Sequence, residues 1–220
     1  MERLKNLNSE QKKAVLLSEG PVLIVAGAGA GKTKTITERI FNLITNGVPP
    51  TNILAITFTN KAAKEMRERV EKLLEEAEIR GRGPHISTFH SLGVLIIKEN
   101  AEIFKLPRHF NIFDTDDSKK VIKDVMKSLG LDPKEHLDKV RSAISREKGR
   151  GTSVSEYVQR APYDFNSELV KKIWPKYEER LKSEHALDFD DLLLKTLWLL
   201  KLPEPFFIFD WGAGMSPVLF

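Results

Sequence analysis

Val22-Leu23-Ile24-Val25-Ala26-Gly27-Ala28-Gly29-Ala30-Gly31-Lys32-Thr33 is the stretch of sequence that decides the fold. It begins as an apolar, β-branched run that is too short for a helix, which predicts a strand buried on both faces. Three glycines then allow a tight turn whose successive N–H groups point at one spot. Apolar residues at helical spacing follow from Lys32 to Asn46. The stretch therefore predicts a strand, a glycine-rich loop and a helix in succession.

This loop has the residue types of a phosphate-binding site. N–H groups at the start of a helix attract anions. Lys32 can reach the β and γ phosphates of a nucleotide, and the Thr33 hydroxyl can ligate Mg²⁺. The general pattern G-x-x-x-x-G-K-S/T is matched except at its first position, which is Ala26. The residues predicted to bind the nucleotide are Ala26, Gly27, Ala28, Gly29, Ala30, Gly31, Lys32 and Thr33. A chance glycine-rich turn is the alternative.

Composition sets only broad limits on function. With 220 residues and 41% hydrophobic content, the chain can form one large or two small domains. A net charge of +4 permits a nucleic-acid partner, but 35 basic against 31 acidic residues do not require one. The absence of cysteine excludes a disulfide scaffold and a cysteine-based zinc site. No signal-peptide pattern and no apolar segment of roughly 20 residues occur, so a cytoplasmic protein without membrane contact is expected.

Gln11 has two possible roles. Asn8-Ser9-Glu10-Gln11 precedes Ala14 and Val15, which predicts a helix capped by Asn8 with Gln11 reaching back to the cap. A glutamine amide ahead of a phosphate loop can also pair with the donor and acceptor edge of adenine. The local pattern favours the cap.

Two further strands are predicted after the loop. Ile53 to Phe58 is an apolar run, Thr59-Asn60 caps a helix that reaches about Glu78, and His85 to Thr88 is the next strand. The order β-α-β-α implies a parallel sheet, in which ligands collect at the carboxyl ends of the strands. Those ends carry Thr57 to Lys61 and Ser87 to Ser91.

From Pro107 the pattern changes to capped helices with no credible buried strand. Helices are predicted over 116–129, 133–148, 153–160 and 166–184, and Pro175 is expected to kink or split the last of them. Asp188 then caps an apolar helix that reaches Leu200. Asp188, Asp190 and Asp191 also invite a metal-site hypothesis, but caps and first-turn carboxylates are the favoured explanation.

Five motifs in this order resemble the UvrD/Rep/PcrA family of superfamily-1 DNA helicases. They are Leu7 to Gln11, Ala26 to Thr33, Ile56 to Ala63, Ser87 to Ser91 and Leu187 to Leu192, and the similarity runs from about Leu4 to about Leu200. The resemblance implies an α/β fold, namely a RecA-like P-loop NTPase core at 1–105 plus 186–220 with a helical insert subdomain at 106–185. The second RecA-like domain of the family is expected to be absent from this chain.

The resemblance also implies a cofactor, partners and site residues. ATP with Mg²⁺ is the implied cofactor, with Gln11 recognising adenine and with Lys32 and Thr33 as catalytic residues. Single-stranded DNA and a duplex junction are the implied partners of a 3′ to 5′ helicase that is expected to be a monomer. The implied DNA-binding residues are Phe58, Thr59, Asn60, Lys61, Thr88, Phe89 and His90. From residue type alone, Phe58 could instead end the core of its strand, and His90 could be a structural histidine.

The resemblance fails after Leu200. Phe206 to Phe209 can be the family's next strand and Asp210 a possible Mg²⁺ ligand, but Trp211 stands where the family has a glutamate. The glutamate and the arginines that orient the attacking water and stabilise charge on the γ-phosphate in the family have no counterparts here. The chain is therefore expected to bind nucleotide weakly at best, to hydrolyse ATP very slowly and not to unwind DNA by itself. Two competing hypotheses are a small P-loop kinase or regulator and a non-catalytic, nucleotide-linked DNA-binding module.

Overall fold

The chain forms two compact units, and each has its own hydrophobic core. The computed structural model describes residues 3–17 and 19–202 and the backbone of 218–219. The first unit comprises Met1–Phe89 with Asp210–Phe220, and the second comprises His90–Phe209. The predicted division into 1–105 plus 186–220 and 106–185 has other boundaries, and it stays a prediction.

The first unit is a small parallel sheet with helices. Its helices are α1 (Ser9–Leu16), α2 (Lys32–Thr45) and α3 (Asn60–Glu76), with short 3₁₀ helices at Arg3–Asn6 and Pro50–Asn52. Its strands are β1 (Ile53–Thr57), β2 (His85–Thr88) and a last strand, Val218–Leu219, in the order β2, β1, last strand. Both pairs are parallel, and Thr57 lies opposite Thr88. The predicted strands at Ile53 and His85 are confirmed, as is the cap of α3 by Thr59, which accepts the Ala62 N–H.

The core of this unit lies between the sheet and its helices. Alternate residues of β1 and β2 meet the apolar faces of α2 and α3, as their spacing predicts. The buried cluster consists of Ile40, Leu43, Ile44, Ile53, Ala55, Met66, Val70, Leu74 and Ile86.

The strand predicted at Val22 to Ala26 is wrong. Residues 21–27 have no strand partner within the described part of the chain, and Leu23 and Val25 are 88% and 86% exposed. A strand buried on both faces needs hydrogen-bonded neighbours and a layer on each side. The described sheet pairs only β2, β1 and the last strand, so this segment has no hydrogen-bonded strand neighbour in it.

The second unit is mainly helical. Its helices are α4 (Phe89–Glu99), which begins on the last residue of the first unit, α5 (Thr115–Ser128), α6 (Pro133–Gly149), α7 (Val154–Arg160), α8 (Phe165–Ser183) and α9 (Phe189–Leu200). A short 3₁₀ helix spans Ala101–Phe104. The core is Ile122, Met126, Val140, Ile144, Tyr157, Ala161, Leu169, Val170, Ile173, Trp174, Tyr177, Leu181 and Ala186. The predicted helices are thus present with small shifts at their ends.

One expectation for this unit is wrong, and one half of another is excluded. The prediction of no buried strand fails because β3 (Asn111–Phe113) pairs in parallel with the buried strand β4 (Ala186–Asp188). The pairing joins residues far apart in sequence, where local periodicity carries no signal. Of the kink or split predicted at Pro175, the split is excluded, since one helix runs from Phe165 to Ser183. Its apolar face is buried on both sides of the proline, at Ile173 and Tyr177, and this packing holds the helix together.

Helices α4 and α9 approach very closely, which accounts for both lying in the second unit. A Cβ at Gly93 would lie 2.8 Å from Thr196 Oγ1 and 3.0 Å from the Leu192 carbonyl oxygen. Within the described ranges, no helix is both long and apolar enough to cross a membrane.

Candidate functional site

The glycine-rich loop ends in a tight turn at the start of α2. Gly29 and Gly31 have φ angles of +74° and +81°, which a side chain would disfavour, and the Ala30 N–H donates to the Gly27 carbonyl at 3.3 Å. Gly31 is the N-cap of α2, so the first N–H groups of the helix face the loop. The predicted loop and helix are therefore present, although the strand before them is not.

Lys32 lies over this loop as its cation. Its Nζ donates to the carbonyl oxygens of Ala26 and Gly27, both at 2.6 Å. Thr33 follows as the second residue of α2 and is half-buried. Beside them is a cavity of about 200 Å³ lined by Asn8, Glu10, Gln11, Ala14, Ile24, Val25, Ala26, Ala30, Lys32 and Thr35. The structure therefore brings the Lys32 ammonium onto the loop, and Thr33 is the next residue of the helix.

Gln11 connects the cap of α1 to this loop. The capping box is confirmed, because Gln11 Oε1 accepts the Asn8 N–H at 3.0 Å and Asn8 Oδ1 accepts the Gln11 N–H at 2.8 Å. Gln11 Nε2 also donates to the Ala30 carbonyl at 3.1 Å. A primary amide has two N–H donors and two acceptor lone pairs, so one of each remains. Capping and recognition of adenine are therefore compatible.

Helix α2 holds α1 in place beside the loop. The buried Arg39 donates from Nη1 to the carbonyl oxygens of Ala14, at 2.7 Å, and Leu17. Asn42 donates from Nδ2 to the Val15 carbonyl at 3.2 Å. Burial lowers the pKa of Arg39 from its usual value. Because the last carbonyls of α1 are bound in this way, the position of Gln11 is set by the helix that follows the loop.

An exposed aromatic pair marks the carboxyl ends of β1 and β2. Phe58 is 91% exposed, and its ring centroid lies 5.9 Å from that of Phe89, at an interplanar angle of 51°. A side chain so exposed is not part of the core, which excludes the structural alternative for Phe58. The pair offers a ring face to a planar ligand.

The other predicted DNA-binding residues divide between the two units. Thr59, Asn60 and Lys61 are exposed at the start of α3, and Thr88 is the buried last residue of β2. These four residues and the phenylalanine pair lie at one edge of the first unit's sheet. His90 belongs to the second unit, where its ring lies 5.3 Å from that of Phe189.

The carboxylates at the start of α9 are helix caps. Asp188 Oδ1 accepts the Asp191 N–H at 2.8 Å, as the capping hypothesis predicts. No group of three or more histidine or acidic side chains in the described ranges could hold a metal ion. The other predicted Mg²⁺ ligand, Asp210, lies outside the described residues.

Lys148 is a buried charged residue that the predictions above do not include. This residue of α6 is 3% exposed and its Nζ contacts three carboxylates. A signal was present, because Lys148 continues the apolar stripe of Val140 and Ile144 at intervals of four residues. A lysine on the buried face of a helix implies buried acidic partners.

Comparison with known proteins identifies the family of this chain. The family model for the UvrD/REP helicase N-terminal domain matches residues 7–208. The chain is 46% identical over 205 residues to the ATP-dependent DNA helicase PcrA of Staphylococcus epidermidis strain RP62A, which covers 91% of this chain and 27% of the relative. It is 42% identical, with the same coverage, to PcrA of Staphylococcus aureus strain Mu50. The chain thus spans about a quarter of the length of these curated relatives. Since the family model covers most of the sequence, the chain belongs to the UvrD/REP helicase family and corresponds to its N-terminal domain.

Proposed function

We propose that this chain is the ATP-binding and single-stranded-DNA-binding N-terminal part of a 3′ to 5′ DNA helicase. The exposed Phe58–Phe89 pair at the ends of two parallel strands carries the proposal. Unpaired bases stack on aromatic rings without regard to sequence, as a translocating enzyme requires. Thr59, Asn60 and Lys61 beside the pair supply hydroxyl, amide and ammonium groups that bind phosphate oxygens. The relatives named as ATP-dependent DNA helicases support the same reaction class.

The nucleotide half of the proposal rests on the loop before α2. Lys32 would bind the β and γ phosphates, the Thr33 hydroxyl would hold Mg²⁺, and the remaining donor and acceptor of Gln11 would recognise adenine. The carbonyl contacts of Lys32 keep its ammonium over the loop, where a phosphate can replace them. Mg²⁺ would neutralise charge on the phosphates.

The proposal includes the wider architecture. The first unit would be part of a RecA-like core, and the helical unit would lie near the duplex junction ahead of the translocated strand. His90, in the helical unit, would be a further contact to the strand. The enzyme would act on DNA as a monomer in the cytoplasm.

Hydrolysis by this chain in isolation is expected to be slow. Trp211 follows Asp210 where the family has a glutamate, and an indole cannot orient the attacking water as a carboxylate does. The family's arginines have no counterparts here either, and loss of charge stabilisation of the kind that an arginine finger supplies costs on the order of 10³ to 10⁵ in rate. Multiple-turnover unwinding by the chain alone would contradict this part of the proposal.

The DNA-binding part is tested by titrating a fluorescent oligo(dT) with the wild type and with Phe58→Ala. Stacking of a base on an aromatic ring contributes about 1 to 3 kcal/mol, so the affinity should fall about 5- to 150-fold. Tyr163→Ala is the matched control, because Tyr163 is also almost fully exposed but lies on the helical unit. Equal affinities of Phe58→Ala and the wild type would refute the assigned DNA contact.

The nucleotide-binding part is tested by titrating a fluorescent ATP analogue with Mg²⁺. Lys32→Ala should weaken binding at least tenfold, because it removes the only side-chain cation proposed to contact the phosphates. Lys34→Ala is the control, since Lys34 lies on the same helix and donates instead to the Asn6 carbonyl at 3.0 Å. Equal loss in both variants would indicate nonspecific charge attraction.

Repeating the DNA titration with and without Mg-ATP separates the competing hypotheses. DNA affinity that changes with nucleotide supports the helicase proposal. DNA affinity that is the same with and without Mg-ATP supports a non-catalytic DNA-binding module. Nucleotide binding without any DNA binding supports a small P-loop regulator.

A further inference from the structure

The helical unit contains a buried cluster of charges around Lys148. The Nζ atom of Lys148 lies 2.8 Å from Glu178 Oε1, 2.8 Å from Asp188 Oδ2 and 3.0 Å from Asp191 Oδ1. Lys148 comes from α6 and Glu178 from α8, whereas Asp188 ends β4 and Asp191 lies in the first turn of α9. One ammonium therefore joins three helices and a strand.

The three carboxylates differ in the donors they receive. Asp188 accepts from Lys148, from the Tyr177 hydroxyl at 2.9 Å and from the Asp191 N–H at 2.8 Å. Glu178 accepts from Lys148 and from Trp174 Nε1 at 2.9 Å, and its side chain is 33% exposed to water. Both carboxylates thus have strong partners for their negative charge.

Asp191 has the weakest support for a negative charge. Besides Lys148, it accepts from the described residues only the Asp188 N–H, at a long 3.4 Å, and its side chain is 7% exposed. One ammonium among three carboxylates leaves excess negative charge in a region of low dielectric, where charge is costly. A proton on the least solvated carboxylate with the fewest donors relieves that cost.

We propose that Asp191 takes up a proton in the folded chain at mildly acidic pH and so links the stability of the α6, α8 and α9 packing to pH. A neutral Asp191 still accepts from Lys148 through one oxygen. It also ends its repulsion with the carboxylates of Asp188 and Glu178. The folded helical unit therefore binds a proton more tightly than the unfolded chain does.

The electrostatic surroundings support this site. Burial raises the pKa of Asp191 to about 6, since the ammonium of Lys148 only partly offsets it while Asp188 and Glu178 add to it. Burial also acts on Asp188, but there Lys148 prevails and the pKa is lowered. The other charged or titratable groups that face the cluster are Tyr177 of α8, Asp190 and Lys195 of α9, and Arg141 of α6.

The sign of the pH dependence follows from these directions. The pKa of Asp191 is higher in the folded chain than in the unfolded chain. Asp191 therefore stabilises the fold increasingly as the pH falls from 7 through 6 toward about 4. The lowered pKa of Asp188 acts the opposite way, but only below about pH 4. The two effects therefore occupy different pH windows.

The test is urea unfolding of the whole chain between pH 5 and 7.5, followed by far-ultraviolet circular dichroism. Asp191→Asn is the variant, because asparagine has the shape of the protonated acid. From pH 7.5 to pH 5 the folding equilibrium constant of the wild type should rise about tenfold relative to that of Asp191→Asn. Titration of other groups, including His85 in the first unit, cancels in this comparison.

Glu179→Gln is the matched control, since Glu179 is an exposed carboxylate on α8. It should keep the pH dependence of the wild type. If Asp191→Asn also keeps it, the proposal is overturned. If Asp191→Asn does not fold, the ¹³C resonance of the Asp191 carboxyl carbon in the wild type decides the matter. A midpoint near pH 6 supports the proposal, and a midpoint near or below about pH 4, as in an exposed aspartate, overturns it.

Discussion

Replacing Lys148 by methionine should strongly destabilise the helical unit. Methionine has a similar length but no charge, so three carboxylates lose an ammonium that lies within 3.0 Å of each. Asp188 and Asp191 are almost inaccessible to water, which therefore cannot replace the lost partner. Removing one partner of a buried ion pair typically costs about 3 to 5 kcal/mol.

A carboxylate that has lost its ammonium partner can become neutral by taking up a proton, so the cost of protonation gives an independent estimate of the loss. A pKa unit corresponds to about 1.4 kcal/mol. At pH 7.5, neutralising Asp191 from a pKa of about 6 costs about 2 kcal/mol, and neutralising Asp188, whose pKa is lowered, costs more. The cost of Lys148→Met should therefore fall as the pH is lowered, because protonation of the stranded carboxylates becomes easier.

The assay is urea unfolding at pH 7.5 and pH 5, followed by far-ultraviolet circular dichroism and tryptophan emission. Lys13→Met is the control, because Lys13 pairs with Glu10 at 3.0 Å on the exposed surface of α1. Such exposed pairs contribute about 0 to 1 kcal/mol. A loss below about 1 kcal/mol in Lys148→Met at pH 7.5 would refute the reasoning, since it would mean that water or a rearrangement solvates the carboxylates. Lys148→Met combined with Asp191→Asn should recover part of the lost stability.

Two further predictions concern packing and pH. Gly93→Ala should lower the free energy of unfolding in urea by about 1 to 2 kcal/mol, because the new methyl group meets the Leu192 carbonyl oxygen. Gly149→Ala is the control, since its methyl group has open space and should leave the stability unchanged or slightly higher. Burial lowers the pKa of His85, and the nearby Arg82 and Arg67 lower it further. The folded chain therefore binds a proton at His85 less readily than the unfolded chain does. His85 stabilises the fold above the unfolded pKa of about 6.5, and this contribution is lost as the pH falls. His85→Gln should flatten the acid side of the stability profile, and an unchanged profile would contradict that assignment.

Local patterns in the sequence were sufficient for most elements of the fold. The caps at Asn8, Thr59 and Asp188 were predicted because a cap depends on residues within one turn of the helix. Strand β1 is predicted because Ile53 to Phe58 is an apolar run, and β2 is predicted because His85 to Thr88 lies between a glycine- and proline-containing turn and a helix. The glycine-rich loop was predicted because its left-handed glycines and its lysine are adjacent in sequence.

Long-range contacts account for the failures. The β3–β4 pair joins segments of three residues each, which are too short to show a period. Val22 to Ala26 has the composition of a buried strand, but burial depends on neighbours that composition does not specify. Pro175 is expected to kink or split α8, and packing along the whole helix prevents the split.

The sequence by itself determined that this chain has a glycine-rich turn, capped helices and a parallel strand pair, because these depend on residues close together along the chain. Tertiary structure alone decided that Phe58 is exposed on Phe89 and that Lys148 is buried among three carboxylates. Exposure and charge pairing depend on which distant segments meet. The same type of side chain can lie at the surface or in the core. Its neighbours determine whether it binds a ligand or stabilises the fold.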